Sequence, residues 1–270
     1  MSERRTALIT GASAGIGKAF AEQLAKDGFD LILTARRRDR LDALAQEIAK
    51  DRGVRVEVIA EDLCDPAAPE RIMAELKSRG LHVDVLVNNA GWGIAQTFVE
   101  VPWHKHAEFI QVLVTAVAQL THLVLPGMIE RRYGRIVNIA SLAGLLPGAP
   151  TSTLYAAAKS FLVKFSESLS GELGGTGVHV TAVCPGFTYS EFHDAMGTRG
   201  VVSKLPGAMW QNADAVAREG IAAVMRGDAV YVTGPVNRAL AAVMRHLPGE
   251  TALRIVRARA KNFRNVGGVH

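Results

Sequence analysis

Seven short apolar segments recur along the chain, and longer stretches with helical periodicity lie between them. The apolar segments span residues 6–10, 30–35, 54–60, 83–87, 135–140, 179–183 and 229–232. The helical stretches span residues 15–28, 39–52, 67–79, 103–131, 152–173 and 213–225. Strands that are apolar throughout and alternate with helices are typical of a parallel sheet covered on both faces. The pattern predicts an α/β fold with a doubly wound, seven-stranded parallel sheet and right-handed crossovers.

The first predicted strand runs directly into a glycine-rich turn and then into a helix. The turn reads Thr10-Gly11-Ala12-Ser13-Ala14-Gly15-Ile16-Gly17. Glycine lets the backbone take positive φ and approach a ligand closely, and the first N–H groups of a helix attract an anion. A loop of small residues between two packed elements would look similar. The order of strand, turn and helix nevertheless predicts a dinucleotide site on a Rossmann-like sheet. Its proposed contacts are Gly11, Ser13, Gly15, Ile16 and Gly17.

The second predicted strand ends at three consecutive arginines, Arg36-Arg37-Arg38. At about this point in a dinucleotide site, an acidic residue binds the ribose 2′-hydroxyl of NAD. No carboxylate stands at position 35 or 36, and the guanidinium fork matches the geometry of a phosphate. The sequence therefore predicts NADP as the cofactor, with Arg36 at the 2′-phosphate. Arg38 is expected only to open a solvated helix.

A hydroxyl, a phenol and an amine stand at suggestive spacing in the middle of the chain. Tyr155 and Lys159 are four residues apart and share one helix face, and Ser141 follows the apolar segment at 135–140. A neighbouring ammonium group favours the phenolate form of tyrosine, which ordinarily titrates near about 10. A Tyr-x-x-x-Lys pair by itself is usually an exposed helical pair. Together with the dinucleotide turn, the three residues predict an acid/base site.

The ordered set of motifs resembles the short-chain dehydrogenase/reductase family. The glycine turn, Asn88-Asn89-Ala90-Gly91, Ser141, Tyr155-x-x-x-Lys159 and Pro185-Gly186 carry the resemblance, which covers about residues 4–235. The resemblance implies that Tyr155 donates or accepts the proton and that Ser141 binds the substrate oxygen. It also implies that Lys159 binds the nicotinamide ribose and lowers the pKa of Tyr155.

The same resemblance implies further contacts with the cofactor. Asp62 matches the residue that meets the adenine ring, and Asn89 and Gly91 would line the cofactor. Pro185, Gly186 and Thr188 match the loop beside the nicotinamide, although Ser190 could take the place of Thr188.

One position departs from the family pattern. Many members carry an asparagine on the helix before the serine strand, where it helps to hold a water connected to the lysine. Leu113 stands at that position here. A leucine side chain forms no hydrogen bond, so the relay would be weakened or rerouted through backbone carbonyls or Thr115.

Length and composition agree with one catalytic domain. The chain has 270 residues, of which 49% are hydrophobic, and this is enough to bury a large core. We predict a catalytic domain at residues 1–235 and a C-terminal helical extension at residues 236–270, packed on that domain or on a partner subunit. The extension carries apolar residues at helical spacing together with many basic residues. It could cap the cleft, dock on a second subunit or, less favoured, lie on a membrane surface.

Several classes of protein and site are disfavoured. The net charge of +5 is modest and mostly dispersed, so nucleic acid is not an expected partner. Cys64 and Cys184 show no disulfide or metal-ligand spacing, and His104 and His106 lie on different sides of a helix without completing ligands. No metal is therefore expected. The N-terminus lacks the apolar core of a signal peptide, and a cytoplasmic location is expected.

Two classes of function follow from these observations. The first is an NADP(H)-dependent oxidoreductase that interconverts a carbonyl and an alcohol. Residues 187–212 and Trp92 are notably apolar, which suggests a pocket for a lipophilic small-molecule substrate (a keto-acyl group, a steroid or an aromatic ketone). The same residues could equally pack a lid helix against the core. The second is a non-catalytic NADP-binding sensor or scaffold that keeps the fold. In either class the resemblance implies a homodimer or homotetramer formed through helices 103–131 and 152–173.

Overall fold

The computed structural model describes residues 4–94, 96–150, 152–189, 207 and 210–264, the last six of them by backbone only. The strands are β1 Thr6–Thr10, β2 Asp30–Ala35, β3 Val56–Ala60, β4 Val85–Asn88, β5 Gly134–Ile139, β6 Val178–Cys184, β7 Phe187–Tyr189, β8 Trp210–Asn212 and β9 Val230–Val232. The helices are α1 Gly15–Lys26, α2 Arg38–Arg52, α3 Ala68–Ser78, α4 Trp103–Ile110, α5 Ala116–Glu130, α6 Thr153–Glu172, α7 Ala213–Arg226, α8 Pro235–His246 and α9 Gly249–Arg264.

Seven of the strands form one sheet in the order β3-β2-β1-β4-β5-β6-β9, and every neighbouring pair is parallel. The predicted doubly wound, seven-stranded parallel sheet is thus confirmed. Chain order reverses between β1 and β4, so the segments that leave these two strands diverge to opposite faces. Ligands bind in the crevice that such a reversal opens at the carboxyl ends of the strands.

The strands are mostly apolar because helices cover both faces of the sheet. Successive side chains of β1 enter different cores: Ile9 packs with Phe20 of α1 and with α2 and α7, whereas Leu8 packs with α3 and α5. All five residues of β1 are buried. This two-sided burial fixes the register of the central strands and so holds the loops at their carboxyl ends.

The long helix predicted at residues 103–131 is interrupted by a π-helical turn at Gln111–Thr115. Such turns insert one residue into a helix and often lie at functional sites. By length and composition alone, Trp103–Glu130 could cross a membrane, with a mean hydropathy of 1.8. Its inner side, which includes Phe109 and Leu120, packs into the core beneath the sheet.

A second, two-stranded parallel sheet joins β7 to β8 and was not predicted. Most of the apolar segment proposed to cover the substrate lies between these strands. Ser190, Phe192, Met196, Gly197, Gly200, Val201, Val202, Leu205 and Met209 lie outside the described residues.

The described part of the C-terminal extension forms α8 and α9, which contact the rest of the chain. Asn237 and Met244 of α8 and Ala252 of α9 are buried. Val243 and Ile255, on the same helices, are exposed. The extension therefore has an inner side that packs on the domain and an outer apolar side.

Candidate active site

The glycine turn after β1 has the backbone that a diphosphate site requires. Gly11 and Gly15 have φ of 64° and 56°, in the left-handed region that glycine favours. A Cβ at Gly17 would lie 2.4 Å from the carbonyl oxygen of Gly11 and 2.4 Å from the Asn89 amide nitrogen. Only glycine therefore lets α1 begin this close to the turn. Ala14 provides no side-chain cap, so the amino end of α1 is suited to an anion.

The side chain of Asn89 stabilises this turn through hydrogen bonds. Its amide nitrogen donates to the carbonyl oxygens of Thr10 at 3.0 Å and Gly11 at 3.2 Å. The Thr10 hydroxyl in turn accepts from the backbone N–H groups of Asn89 and Ala90. These bonds join the carboxyl ends of β1 and β4 across the crevice. Asn89 thus has a structural role in addition to the cofactor contact predicted for it.

Two guanidinium groups reach the crevice from the end of β2. Arg37 donates to the hydroxyl of Ser13 at 3.0 Å, which brings it against the glycine turn. Burial raises the pKa of the Cys64 thiol to about 11, and the positive charge of Arg36 acts in the opposite direction, which indicates that Arg36 lies near Cys64. Asp62 is exposed and accepts from the backbone N–H of Cys64 at 3.0 Å. Arg36 therefore lies toward the predicted adenine site and Arg37 toward the diphosphate turn.

Ile16 lies at the start of α1, and Gly91 lies in the loop after β4. Ile16 is partly buried and packs against the core beneath α1. Gly91 is exposed, and a Cβ there would lie 3.3 Å from the side chain of Leu113. Leu113 therefore fills the space behind the loop that follows β4.

Ser141 is held beside the start of α6 by a short 3₁₀ turn, Leu142–Gly144. Its hydroxyl accepts from the backbone N–H of Ala143 at 3.1 Å. The turn packs directly on α6, because a Cβ at Gly144 would lie 2.6 Å from the carbonyl carbon of Lys159. The Ser160 hydroxyl also donates to the carbonyl oxygen of Gly144 at 2.8 Å. Gly144 therefore sets the distance between Ser141 and the first turns of α6.

Tyr155, on the first turn of α6, meets Ser141 through a side-chain hydrogen bond. The nitrogen Nζ of Lys159 lies 5.6 Å from the centroid of the Tyr155 ring. The predicted gathering of the three groups is what the structure shows. Ser141 and Tyr155 keep some accessible surface, whereas Lys159 is buried.

The pKa of Tyr155 runs against the sequence-based expectation. Burial raises the pKa of the phenol, while its hydrogen bond with Ser141 acts in the opposite direction. Burial also lowers the pKa of Lys159 to about 8. Nζ of Lys159 donates to the carbonyl oxygen of Ile139 at 2.7 Å. The expected lowering of the Tyr155 pKa by Lys159 is therefore not what the structure shows: desolvation of the phenol raises that pKa.

Leu113 lies in the π-helical turn and is buried, as expected of a side chain without polar atoms. Thr115 is exposed on the same turn, which does not favour a relay through its hydroxyl. The sequence analysis also considered a relay through backbone carbonyls. One of these, the carbonyl of Ile139, already accepts a hydrogen bond from Lys159. The amide nitrogen of Gln111 is buried without a hydrogen-bond partner among the described residues.

The Pro185–Gly186 loop closes the site at the end of β6. The carbonyl oxygen of Pro185 accepts from the backbone N–H of Leu142 at 2.9 Å, which ties this loop to the Ser141 turn. Thr188 is buried and donates to the carbonyl oxygen of Gly186 at 3.2 Å. A Cβ at Gly186 would lie 2.5 Å from the side chain of Asn237. The C-terminal extension therefore supports this loop directly.

Comparison with known proteins identifies the family. Residues 5–199 match the family model of the short chain dehydrogenases. This chain is a short-chain dehydrogenase. The very-long-chain 3-oxoacyl-CoA reductase of Anas platyrhynchos is 41% identical to it over 184 residues, or 66% of this chain and 58% of that protein. The match thus spans less than two thirds of that relative's length.

Solved structures of other short-chain dehydrogenases share the fold. The enzyme from Sphingobium yanoikuyae in complex with NADPH aligns with a TM-score of 0.78 and 31% identity, covering 90% of this chain and 96% of that one. The L-sorbose reductase of Gluconobacter frateurii, complexed with NADPH and L-sorbose, aligns with a TM-score of 0.74 and 27% identity, covering 86% and 95%. The predicted family and the Rossmann-like fold are both confirmed.

Three residues with a place in this short-chain dehydrogenase site were not assigned one from the sequence: Arg37, Gly144 and Asn237. Gly144 stands three residues after Ser141, and Arg37 stands next to Arg36, so spacing could have indicated both. Asn237 reaches the site only through tertiary packing. No local sequence pattern distinguishes it from a surface residue.

Proposed function

We propose that this short-chain dehydrogenase interconverts a carbonyl and an alcohol with NADP(H), with Tyr155 as the acid/base group. The observation that carries the proposal is the hydrogen bond between Tyr155 and Ser141, with Lys159 one turn further along α6. A phenol and a hydroxyl held together can both meet one substrate oxygen. That arrangement suits proton transfer to a carbonyl oxygen during reduction.

Each residue of the trio has a separate task in the proposed reaction. NADPH, when bound, supplies the hydride that reaches the carbonyl carbon. Ser141 donates a hydrogen bond to the carbonyl oxygen and so polarises the bond. Tyr155 gives its proton to the same oxygen as negative charge develops there. Because burial raises the pKa of Tyr155, the phenol holds its proton until the substrate oxygen becomes the stronger base.

The proposed role of Lys159 is to favour release of the Tyr155 proton and to resupply that proton afterwards. Its pKa of about 8 means that it can exchange a proton near neutral pH, unlike an exposed lysine. Its ammonium group would also donate to ribose hydroxyls of the cofactor. The bond to the carbonyl oxygen of Ile139 holds it in place between β5 and α6.

The described residues fit NADP rather than NAD. Two guanidinium groups, those of Arg36 and Arg37, flank the region after β2, and Ser13 adds a hydroxyl. A 2′-phosphate suits this set, since guanidinium pairs with phosphate in a fork geometry. Relatives from Sphingobium yanoikuyae and Gluconobacter frateurii were solved with NADPH.

The cofactor assignment is tested with Arg37→Ala and Arg36→Ala. Each variant is expected to raise the KM for NADPH about tenfold or more, as loss of a charge-assisted hydrogen bond does, and to leave the KM for NADH within about twofold. Arg40→Ala, on the solvated part of α2, serves as the matched control. A wild-type preference for NADH would refute the assignment.

For the substrate we propose a lipophilic carbonyl compound such as a keto-acyl group, a steroid or an aromatic ketone. Partly buried Trp92 packs edge-on against Phe109 at 5.7 Å between ring centroids, which gives the substrate side an apolar wall. The relative from Anas platyrhynchos is named as a 3-oxoacyl-CoA reductase. Initial rates across ketones of rising apolar size test the proposal. A preference for small hydrophilic sugars would contradict it.

A second candidate function is a non-catalytic NADP sensor or scaffold. The one observation in its favour is Leu113, which leaves a buried apolar side chain where many members have an amide. NADPH binding without turnover of any carbonyl in a broad panel would support this candidate. Turnover that Tyr155→Phe abolishes would support the enzyme.

Assembly and location complete the proposal. We expect a homodimer or homotetramer in the cytoplasm, formed through the outer sides of α4–α5 and α6. Sedimentation velocity tests the assembly. Flotation with anionic vesicles, before and after deletion of residues 249–270, tests the less favoured membrane contact of the basic extension.

A further inference from the structure

A small cavity adjoins Tyr155. Its volume is about 10 Å³, which is room for one water-sized group such as a hydroxyl. The walls come from three parts of the chain: the segment after β4, the helix α4 and the start of α6. The lining residues are Ile94, Gln96, Phe98, His106, Phe109 and Ser152 to Tyr155. A substrate whose carbonyl meets Tyr155 would place a small group, not its main skeleton, in this space.

His106 is the one histidine of this lining, and its ring is fixed on several sides. The residue is 4% exposed. Its ring stacks on Phe98 with 4.4 Å between centroids and an angle of 17°, and Trp103 lies 6.3 Å away. Nitrogen Nε2 lies 2.9 Å from the carbonyl oxygen of Phe98. A carbonyl oxygen can only accept, so Nε2 carries the proton of the neutral ring.

The other ring nitrogen of His106 is left as an acceptor without a donor. Nδ1 is buried and has no hydrogen-bond partner among the described residues. Buried polar atoms are nearly always satisfied, so Nδ1 is expected to accept a hydrogen bond from a water molecule or from a bound ligand. The bond to Phe98 and the ring stacking account for the position of the ring. Neither of these contacts uses the hydrogen-bond acceptor at Nδ1.

The surroundings define the kind of donor that Nδ1 would accept. The histidine is buried, and burial disfavours a charged ammonium group because that group would lose its hydration. A hydroxyl group satisfies the nitrogen at lower cost. Nδ1 is covered in the present arrangement, so a hydroxyl group reaches it only after the side chains around it shift.

We propose that His106 is a specificity-determining residue whose Nδ1 accepts a hydrogen bond from a hydroxyl group of the carbonyl substrate. The substrate class is therefore narrowed to carbonyl compounds that carry a hydroxyl on an otherwise apolar skeleton. This inference rests on the proposed carbonyl reduction and deepens it. It predicts discrimination between hydroxylated and deoxy substrates of the same shape.

Two isosteric variants separate the two nitrogens of the ring. In His106→Gln the amide nitrogen takes the place of Nε2 and can still donate to Phe98, but no acceptor remains at Nδ1. In His106→Asn the amide oxygen takes the place of Nδ1, and the bond to Phe98 is lost. The readout is kcat/KM with NADPH for matched pairs of ketones that differ only in one hydroxyl. Thermal unfolding and NADPH affinity report whether each variant is folded.

In the wild type, kcat/KM is expected to be about tenfold or more higher for the hydroxylated member of at least one pair, because only that member gives the buried acceptor a hydrogen bond. His106→Gln is expected to lose that preference, and His106→Asn to keep most of it. Equal kcat/KM for both members in the wild type, across pairs with different hydroxyl positions, would overturn the inference. So would a preference that survives in His106→Gln.

A measurement on the wild type keeps the inference testable if both variants fail to fold. The ¹⁵N resonance of His106 Nδ1 is recorded with NADP⁺ present, before and after addition of a hydroxylated ketone or of its deoxy analogue. A shift with the hydroxylated compound alone supports the inference, and no shift with either opposes it. Wild-type protein that binds NADPH but reduces no ketone at all would instead refute the proposed function.

Discussion

Gly144→Ala tests whether the contact between the 3₁₀ turn and α6 sets the geometry of the candidate site. The added Cβ would lie 2.6 Å from the carbonyl carbon and 2.7 Å from the carbonyl oxygen of Lys159, both of them backbone atoms. Ordinary contact begins near 3.4 Å, so the turn and the helix must separate by about 0.8 Å. Backbone cannot rotate away as a side-chain tip can. Ser141 moves with the turn, and Tyr155 and Lys159 stay with the helix.

A displacement of this size acts on turnover more than on stability. Overpacking of a core costs roughly 1–3 kcal/mol of unfolding free energy, which a stable domain tolerates. Misplacement of a catalytic group by about 1 Å costs about 100-fold in rate. We therefore expect kcat for carbonyl reduction to fall about 100-fold, while the Kd for NADPH changes by less than about threefold.

The assay is steady-state NADPH oxidation at a temperature well below the unfolding midpoint, together with NADPH titration by fluorescence. Gly148→Ala is the matched control, because no atom lies within 4 Å of a Cβ built there. It should keep wild-type turnover. If Gly144→Ala remained folded and turned over within about twofold of the wild type, the contact would not control the spacing of Ser141 and Tyr155.

Three further predictions follow from the same site. Leu113→Asn places an amide in a buried apolar position and should lower the unfolding free energy by roughly 1–3 kcal/mol in denaturant titrations, whereas the control Leu113→Met should lose less. A rise in the turnover of Leu113→Asn would reveal a proton relay that leucine weakens. Unchanged turnover across pH would show that the relay is already complete. The folded-state pKa of Lys159, about 8, lies below its ordinary 10.5, so between these values the unfolded chain holds a proton that the folded one has released. Without cofactor, stability relative to Lys159→Met should therefore rise as pH increases from about 8 to about 10.5; a flat or falling difference would show that burial does not depress this pKa. Gly186→Ala places a Cβ 2.5 Å from the Asn237 side chain and should lower the unfolding free energy. Adding Asn237→Ala to this variant should recover part of that loss. Additive effects of the two changes on the unfolding free energy would argue against their contact.

The sequence was most informative where local pattern and fold agree. The strands at 6–10 and 30–35 were predicted to the residue, because each has a continuous apolar centre and lies close to glycine or charged residues. The carboxyl ends of parallel strands meet at one edge, so the order of motifs alone placed Gly11, Asn89 and Ser141 together. Their family resemblance supplied roles that periodicity could not.

The sequence was least informative where burial decides chemistry. Proximity of Lys159 predicted a lowered pKa for Tyr155, but desolvation has the larger effect and cannot be read from spacing. His106 was considered only as a metal ligand and set aside, because its burial and its bond to Phe98 are tertiary. The π-helical turn at Gln111–Thr115 was missed for a similar reason. Its residues have ordinary helical character, and only the packing of α4 and α5 shows the extra residue.

Transfer of deuterium from 4-deuterated NADPH to a ketone tests the central claim most directly. In the wild type the label should appear on the carbon that becomes the alcohol carbon, and Tyr155→Phe should reduce this transfer by about 100- to 10,000-fold with little change in NADPH affinity. Label transfer that persists undiminished without the phenol hydroxyl would contradict the role assigned to Tyr155. Cofactor binding with no transfer to any ketone in the wild type would contradict the proposed reaction itself.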